Sequence, residues 1–127
     1  MFVSAKADIL TNASGDATVY LAPSVNVVLN GFILELTYTP GNLDTGADLT
    51  ITIDGTERPI MTKSNAGTTK TWFMPRAVNN AVADGAAATS NSELIPIKND
   101  RIKVVVAQGG NAKSGSIEVL VLVNPPY

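Results

Sequence analysis

Leu49-Thr50-Ile51-Thr52-Ile53-Asp54-Gly55 is the stretch that decides the class of fold. Leu49, Ile51 and Ile53 alternate with Thr50, Thr52 and Asp54. Successive side chains on a strand point to opposite faces, so a period of two means a strand with one face buried. Asp54-Gly55 then ends the run, because glycine accepts the left-handed backbone that a tight hairpin turn demands.

Working outward, the same period recurs along the chain. Ile102, Val104 and Val106 alternate with Lys103, Val105 and Ala107. Ile117, Val119, Val121 and Val123 alternate with Glu118, Leu120, Leu122 and Asn124. Phe32, Leu34, Leu36 and Tyr38 form one face of a further strand, with Ile33, Glu35, Thr37 and Thr39 on the other. Val25 to Leu29, Thr18 to Leu21, Phe2 to Leu10 and Thr69 to Met74 complete a set of about eight strands. Asn30-Gly31, Pro40-Gly41, Asn65-Ala66-Gly67 and Gly109-Gly110 punctuate them. No segment carries a capped 3.6-residue stripe. The pattern predicts an all-β, single antiparallel β-sandwich over residues 1–127, jelly-roll-like, with an immunoglobulin-like sandwich as the rival topology.

Composition narrows the chemistry. The 127 residues suit one domain with its own core. There is no cysteine, so disulfides and thiolate metal sites are excluded. There is no histidine, the commonest general base and metal ligand. Charged residues make up 16%, against about 25% in ordinary domains. Such a surface is weakly hydrated and inclined to associate. Nine basic residues are scattered among eleven acidic ones, which argues against direct nucleic-acid binding. The longest apolar runs fall far short of the ~20 residues a membrane helix needs. Met1 to Lys6 lacks a basic leader and a long apolar stretch, so we expect synthesis in the cytoplasm and any further location to follow from assembly.

The remaining motifs read as turns. Asp44 and Asp48 flank Thr45-Gly46 and are expected to bond their own backbone, since a calcium loop needs a different spacing. Asn99-Asp100-Arg101 reads as a tight turn with a local side-chain bond. Gly109 to Gly115 lacks the Gly-Lys-Ser order and following helix of a phosphate loop, and reads as a hairpin loop. No catalytic, cofactor-binding or metal-binding residue emerges. The expectation is a protein that is not an enzyme and carries no cofactor.

Surface features remain. Residues 76–93, RAVNNAVADGAAATSNSE, have few bulky anchors and read as a mobile loop, or as an arm ordered by a neighbouring subunit, or as a short Ala-rich helix weakened by Gly85. The last strand is apolar on both faces, so it is either covered on both sides or carries a subunit contact on Leu120 and Leu122. Trp72 reads as core, as an interface anchor, or as a carbohydrate-stacking ring, which would need a second exposed aromatic and a carboxylate nearby. Asn124-Pro125-Pro126-Tyr127 reads as an extended tail. Phe2, Trp72, Phe73, Arg76, Leu120, Leu122 and Tyr127 are the candidate interface residues.

Met1-Phe2-Val3-Ser4-Ala5-Lys6-Ala7-Asp8-Ile9, Leu43 to Ile51 and Asp100 to Gly115 resemble small β-sandwich proteins encoded among the structural genes of tailed bacteriophages. In that company such a protein is typically a capsid decoration, or cement, protein, and less often a tail, baseplate or fibre component. The resemblance implies location on the virion capsid surface, a major capsid protein or other virion protein as partner, and a homo-oligomer, dimer or trimer. It implies no membrane and no catalytic residues.

Overall fold

The computed structural model describes residues 1–23 and 28–123, with backbone alone described for residues 88–91. Every regular element among them is a strand. They are β1 (Phe2–Leu10), β2 (Ala17–Leu21), β3 (Leu29–Thr39), β4 (Asp48–Ile53), β5 (Pro59–Lys63), β6 (Thr71–Phe73), β7 (Ala77–Asn80), β8 (Ala87–Glu93), β9 (Ile95–Asp100), β10 (Ile102–Ala107) and β11 (Ser114–Leu122).

Eleven strands replace the eight expected. Four of them, β5, β7, β8 and β9, fall where no strand was predicted. Two of these four hide behind proline: β5 starts at Pro59, and β9 holds Pro96. Proline has no donor for a ladder but is tolerated at strand starts and on edges. Leu29 belongs to β3 and does not close a separate strand, and Val25 to Val27 lie outside the described residues.

All pairing is antiparallel. One sheet runs β1-β11-β3, and the far edge of β3 is shared between β9, beside Gly31 to Ile33, and β6, beside Leu36 to Tyr38. A second sheet runs β2-β10-β4-β5. Among the described residues β7 pairs only with β8. The sheets curl as a half-barrel, and their inward residues share one core. Ile51, Val104, Ile33, Leu36 and Val119 in it are wholly shielded from solvent.

The periodic reading held for β4, β10 and β11, where Leu49/Ile51/Ile53, Ile102/Val104/Val106 and Ile117/Val119/Val121 all point inward. It failed in β3. Opposite β11, Glu35 faces Leu120 and Ile33 faces Val121, so Leu34 is an extra residue, a β-bulge. One inserted residue reverses the phase of a strand. Ile33 therefore joins the core with Leu36 and Tyr38, while Phe32 turns outward beside Leu122.

Gly109 to Gly115 is a crossover and not the expected hairpin loop, because β10 and β11 lie in different sheets. It is knotted to two other turns at that end of the molecule. Gly109 N–H donates to Gly15 O (2.8 Å), and Asp44 N–H donates to Gly109 O (3.0 Å). Thr11 Oγ1 donates to Gly110 O (2.6 Å) and accepts from Lys113 N (2.9 Å).

Candidate interaction surface

A sheet in register lines side chains up in rows across its strands. On the inward face of the first sheet the rows are Val3–Val121–Ile33–Ile95, Ala5–Val119–Leu36–Phe73 and Ala7–Ile117–Tyr38–Thr71. On the outward face the first row is Phe2–Leu122–Phe32–Pro96, apolar across four strands. Next come Ser4–Leu120–Glu35, then Lys6–Glu118–Thr37–Trp72. Phe2 and Trp72 are exposed, and Leu120, Leu122 and Phe32 are half-buried. Leu10 and Met74 add exposed apolar area at the margins.

The sheet thus gathers Phe2, Trp72, Leu120 and Leu122 on one face. Trp72 is 54% exposed, so it is not a core residue, and Lys70 lies 5.5 Å from its ring. Phe73 departs from the expected group: it lies in an inward row and packs half-buried against the core. β11 is central, between β1 and β3; Ile117, Val119 and Val121 on its inward face are buried, and Leu120 and Leu122 on the other are half-buried. Tyr127 and the tail of residues 124–127 lie outside the described residues. Phe32 and Pro96 were missed from sequence, the first through the bulge and the second because a proline hid its strand.

Residues 76–93 contain a β-hairpin, not a loop or helix. Ala77 faces Glu93 and Val78 faces Ser92. The turn holds by Gly85 N–H to Ala81 O (2.8 Å) and Ala81 N–H to Ala86 O (2.9 Å). Gly85 supplies the left-handed φ of +71° that the turn needs. Residues 81–87 are exposed, and Val82 at the tip is fully exposed. At the root, Arg76 Nη1 donates to Leu34 O (3.0 Å) and Pro75 O (2.9 Å).

Charged chemistry is sparse. Among the described residues no three Asp or Glu side chains gather as a metal site would require. Asp48 departs from its expected self-capping: its Oδ1 accepts Asn65 N–H (2.9 Å) across the loop. Asp100 behaves as expected, accepting Arg101 N–H (2.8 Å), and also takes Gly55 N–H (3.1 Å). Arg101 lies 3.7 Å over the Tyr20 ring and donates to Asp54 Oδ2 at 2.9 Å. An open hollow of about 680 Å³ beside the knotted turns is lined by Ser14, Asp44, Thr45, Gly46, Gln108 and Gly110, with a single carboxylate. Burial pushes the Tyr38 hydroxyl above its ordinary range.

No family model and no curated protein matches this chain.

Proposed function

We propose that this chain is a virion structural protein without enzymatic activity, a capsid decoration protein that binds the outer surface of a phage head and stabilises contacts between major capsid proteins. The observation that carries the reading is the β7–β8 hairpin. A two-stranded ribbon standing alone is at best marginally stable in water. This one holds Val78 and Val82 out to solvent and pairs with no other described strand. Its free edges and exposed valines gain stability by docking, in the manner of strand addition to a partner surface. Repetition over a lattice makes a modest affinity at each site sufficient.

The strand pairing supports a jelly-roll-like sandwich within that reading. β1 pairs β11, β2 pairs β10, β3 pairs β9 and β4 pairs β5, the order a long hairpin takes when rolled up. Jelly rolls recur in viral shells and lectins, so this support is an analogy of fold.

Quantitative mass spectrometry of purified particles whose genome encodes the chain tests the proposal. A decoration protein is present in copies on the order of hundreds, matching the shell. A few copies, in threes or sixes, would place it in the tail, baseplate or a fibre and overturn the head assignment.

A further inference from the structure

We infer that the outward face of the β1-β11-β3 sheet is a self-association surface whose occupant is the same face of a second copy.

Three observations point there. The first is the row Phe2–Leu122–Phe32–Pro96 with Leu120 beside it, an apolar band across four strands at one end of the sheet. Two sheets packed face to face interdigitate such side chains at about 10 Å separation. The second is charge. Lys6 stands opposite Glu118 in register, Lys70 lies over the Trp72 ring at the end of the same row, and the rows on either side carry Glu35 and Asp8. Two cations among three carboxylates leave the face of mixed sign and near neutral, which a second copy tolerates under a two-fold axis. A strongly one-signed face repels its own copy.

The third is size. β1 and β11 are nine residues each. Four lateral strand positions at about 4.8 Å and nine residues at about 3.4 Å give a face of roughly 600 Å². A standard interface takes about 800 Å² from each partner, and adventitious contacts under about 400 Å². The corrugation of Phe2 and Trp72, both exposed, raises the accessible area above the flat footprint. The outward face of the other sheet offers no comparable band: its rows are Thr18–Val105–Thr50–Thr62 and Tyr20–Lys103–Thr52–Pro59.

The inference goes beyond the capsid reading and does not depend on it, since the pairing is a property of the purified chain. Sedimentation equilibrium of the wild type is expected to give twice the chain mass at micromolar concentration. Phe2→Glu and Leu122→Glu are expected to weaken the dimer about tenfold or more, with unchanged far-ultraviolet circular dichroism. Phe2 is exposed, so its variant reports even if Leu122→Glu fails to fold. Val105→Glu, on the other sheet, is expected to leave the dimer intact. The chain has no cysteine, so single substitutions are clean probes. Ser4→Cys should cross-link through a short bis-maleimide, and Thr50→Cys should not. A wild type that stays monomeric overturns the inference. So does a dimer that survives Phe2→Glu, or one that cross-links through Thr50→Cys and not Ser4→Cys.

Discussion

The guanidinium of Arg76 closes the gap that the β3 bulge opens at Leu34. β9 ends its register with β3 at Ile33, and β6 begins at Leu36. Leu34 has no register partner on that edge or on β11, and Arg76 Nη1 donates to its carbonyl at 3.0 Å. The same nitrogen reaches Pro75 O, so one side chain ties the bulge to the root of the hairpin. Arg76→Ala is expected to cost about 1 kcal/mol, the net worth of such a bond. Native-state hydrogen exchange should quicken at residues 77–93 while β4 and β10 keep their protection.

Shortening the hairpin separates folding from docking. Val78 and Ser92 face each other in register. Replacing residues 79–91 with Asn-Gly restores a two-residue turn between them. The shortened chain is expected to keep its circular dichroism and thermal midpoint but to lose affinity for particles. Loss of the fold would show that the ribbon is part of the body and not an arm.

Gly31 and Gly67 separate steric cost from backbone cost. Both have positive φ, +142° and +83°. A Cβ on Gly31 would stand 2.0 Å from Leu122 O, whereas one on Gly67 meets nothing within 4 Å. Gly67→Ala should cost about 1–2 kcal/mol, the left-handed penalty alone. Gly31→Ala should cost clearly more and disturb the apolar row, since Phe32 and Leu122 are its neighbours. Chemical denaturation of the two variants checks the ranking.

Tyr38 Oη is buried without a hydrogen-bond partner among the described residues. Tyr38→Phe removes an unsatisfied group at little change of shape and is expected to stabilise by about 1 kcal/mol. The pH dependence has a definite sign. Burial raises the folded pKa above the ordinary 10.0, so the unfolded chain loses this proton first. Tyr38 therefore contributes no pH dependence below about pH 10 and loses stability above it. Wild type should fall off faster than Tyr38→Phe in urea melts taken on the alkaline side.

Burial outweighs charge at the second sheet. Ile51 is fully buried, and Ile51→Ala should cost about 2–4 kcal/mol through the cavity it leaves. The Arg101–Asp54 pair is partly exposed on both sides, and Arg101→Ala should cost under about 1 kcal/mol even with its Tyr20 stacking lost. Thermal melts of both variants in low and high salt test the contrast, since only the second should change with salt.

Much of this architecture is written in period two. β4, β10 and β11 are legible because nothing interrupts their alternation, and Asp54-Gly55 marks a true turn. β3 is legible as a strand but not as a face, since a single extra residue at Leu34 leaves no signature in hydrophobicity. β5 and β9 carry proline and polar residues, which local propensity reads as loop, and tertiary pairing with β4 and β3 overrides it. Of the surface, Leu120 and Leu122 announce themselves by standing opposite an already apolar face. Their row with Phe2, Phe32 and Pro96 exists only through register between strands remote in sequence, and no local window contains it. Trp72 was ambiguous for a related reason: its side is set by pairing with Thr37.

The pairing of β1 with β11 has a consequence for biosynthesis. Phe2 faces Leu122 and Leu10 faces Ser114, so β1 completes its ladder only when β11, far later in the chain, has been made. Until that strand leaves the ribosome, Ala5 and Ile9 have no sheet to belong to. A sheet built this way condenses late, after the apolar residues of the strands between β1 and β11 have been offered to chaperones and to neighbouring copies.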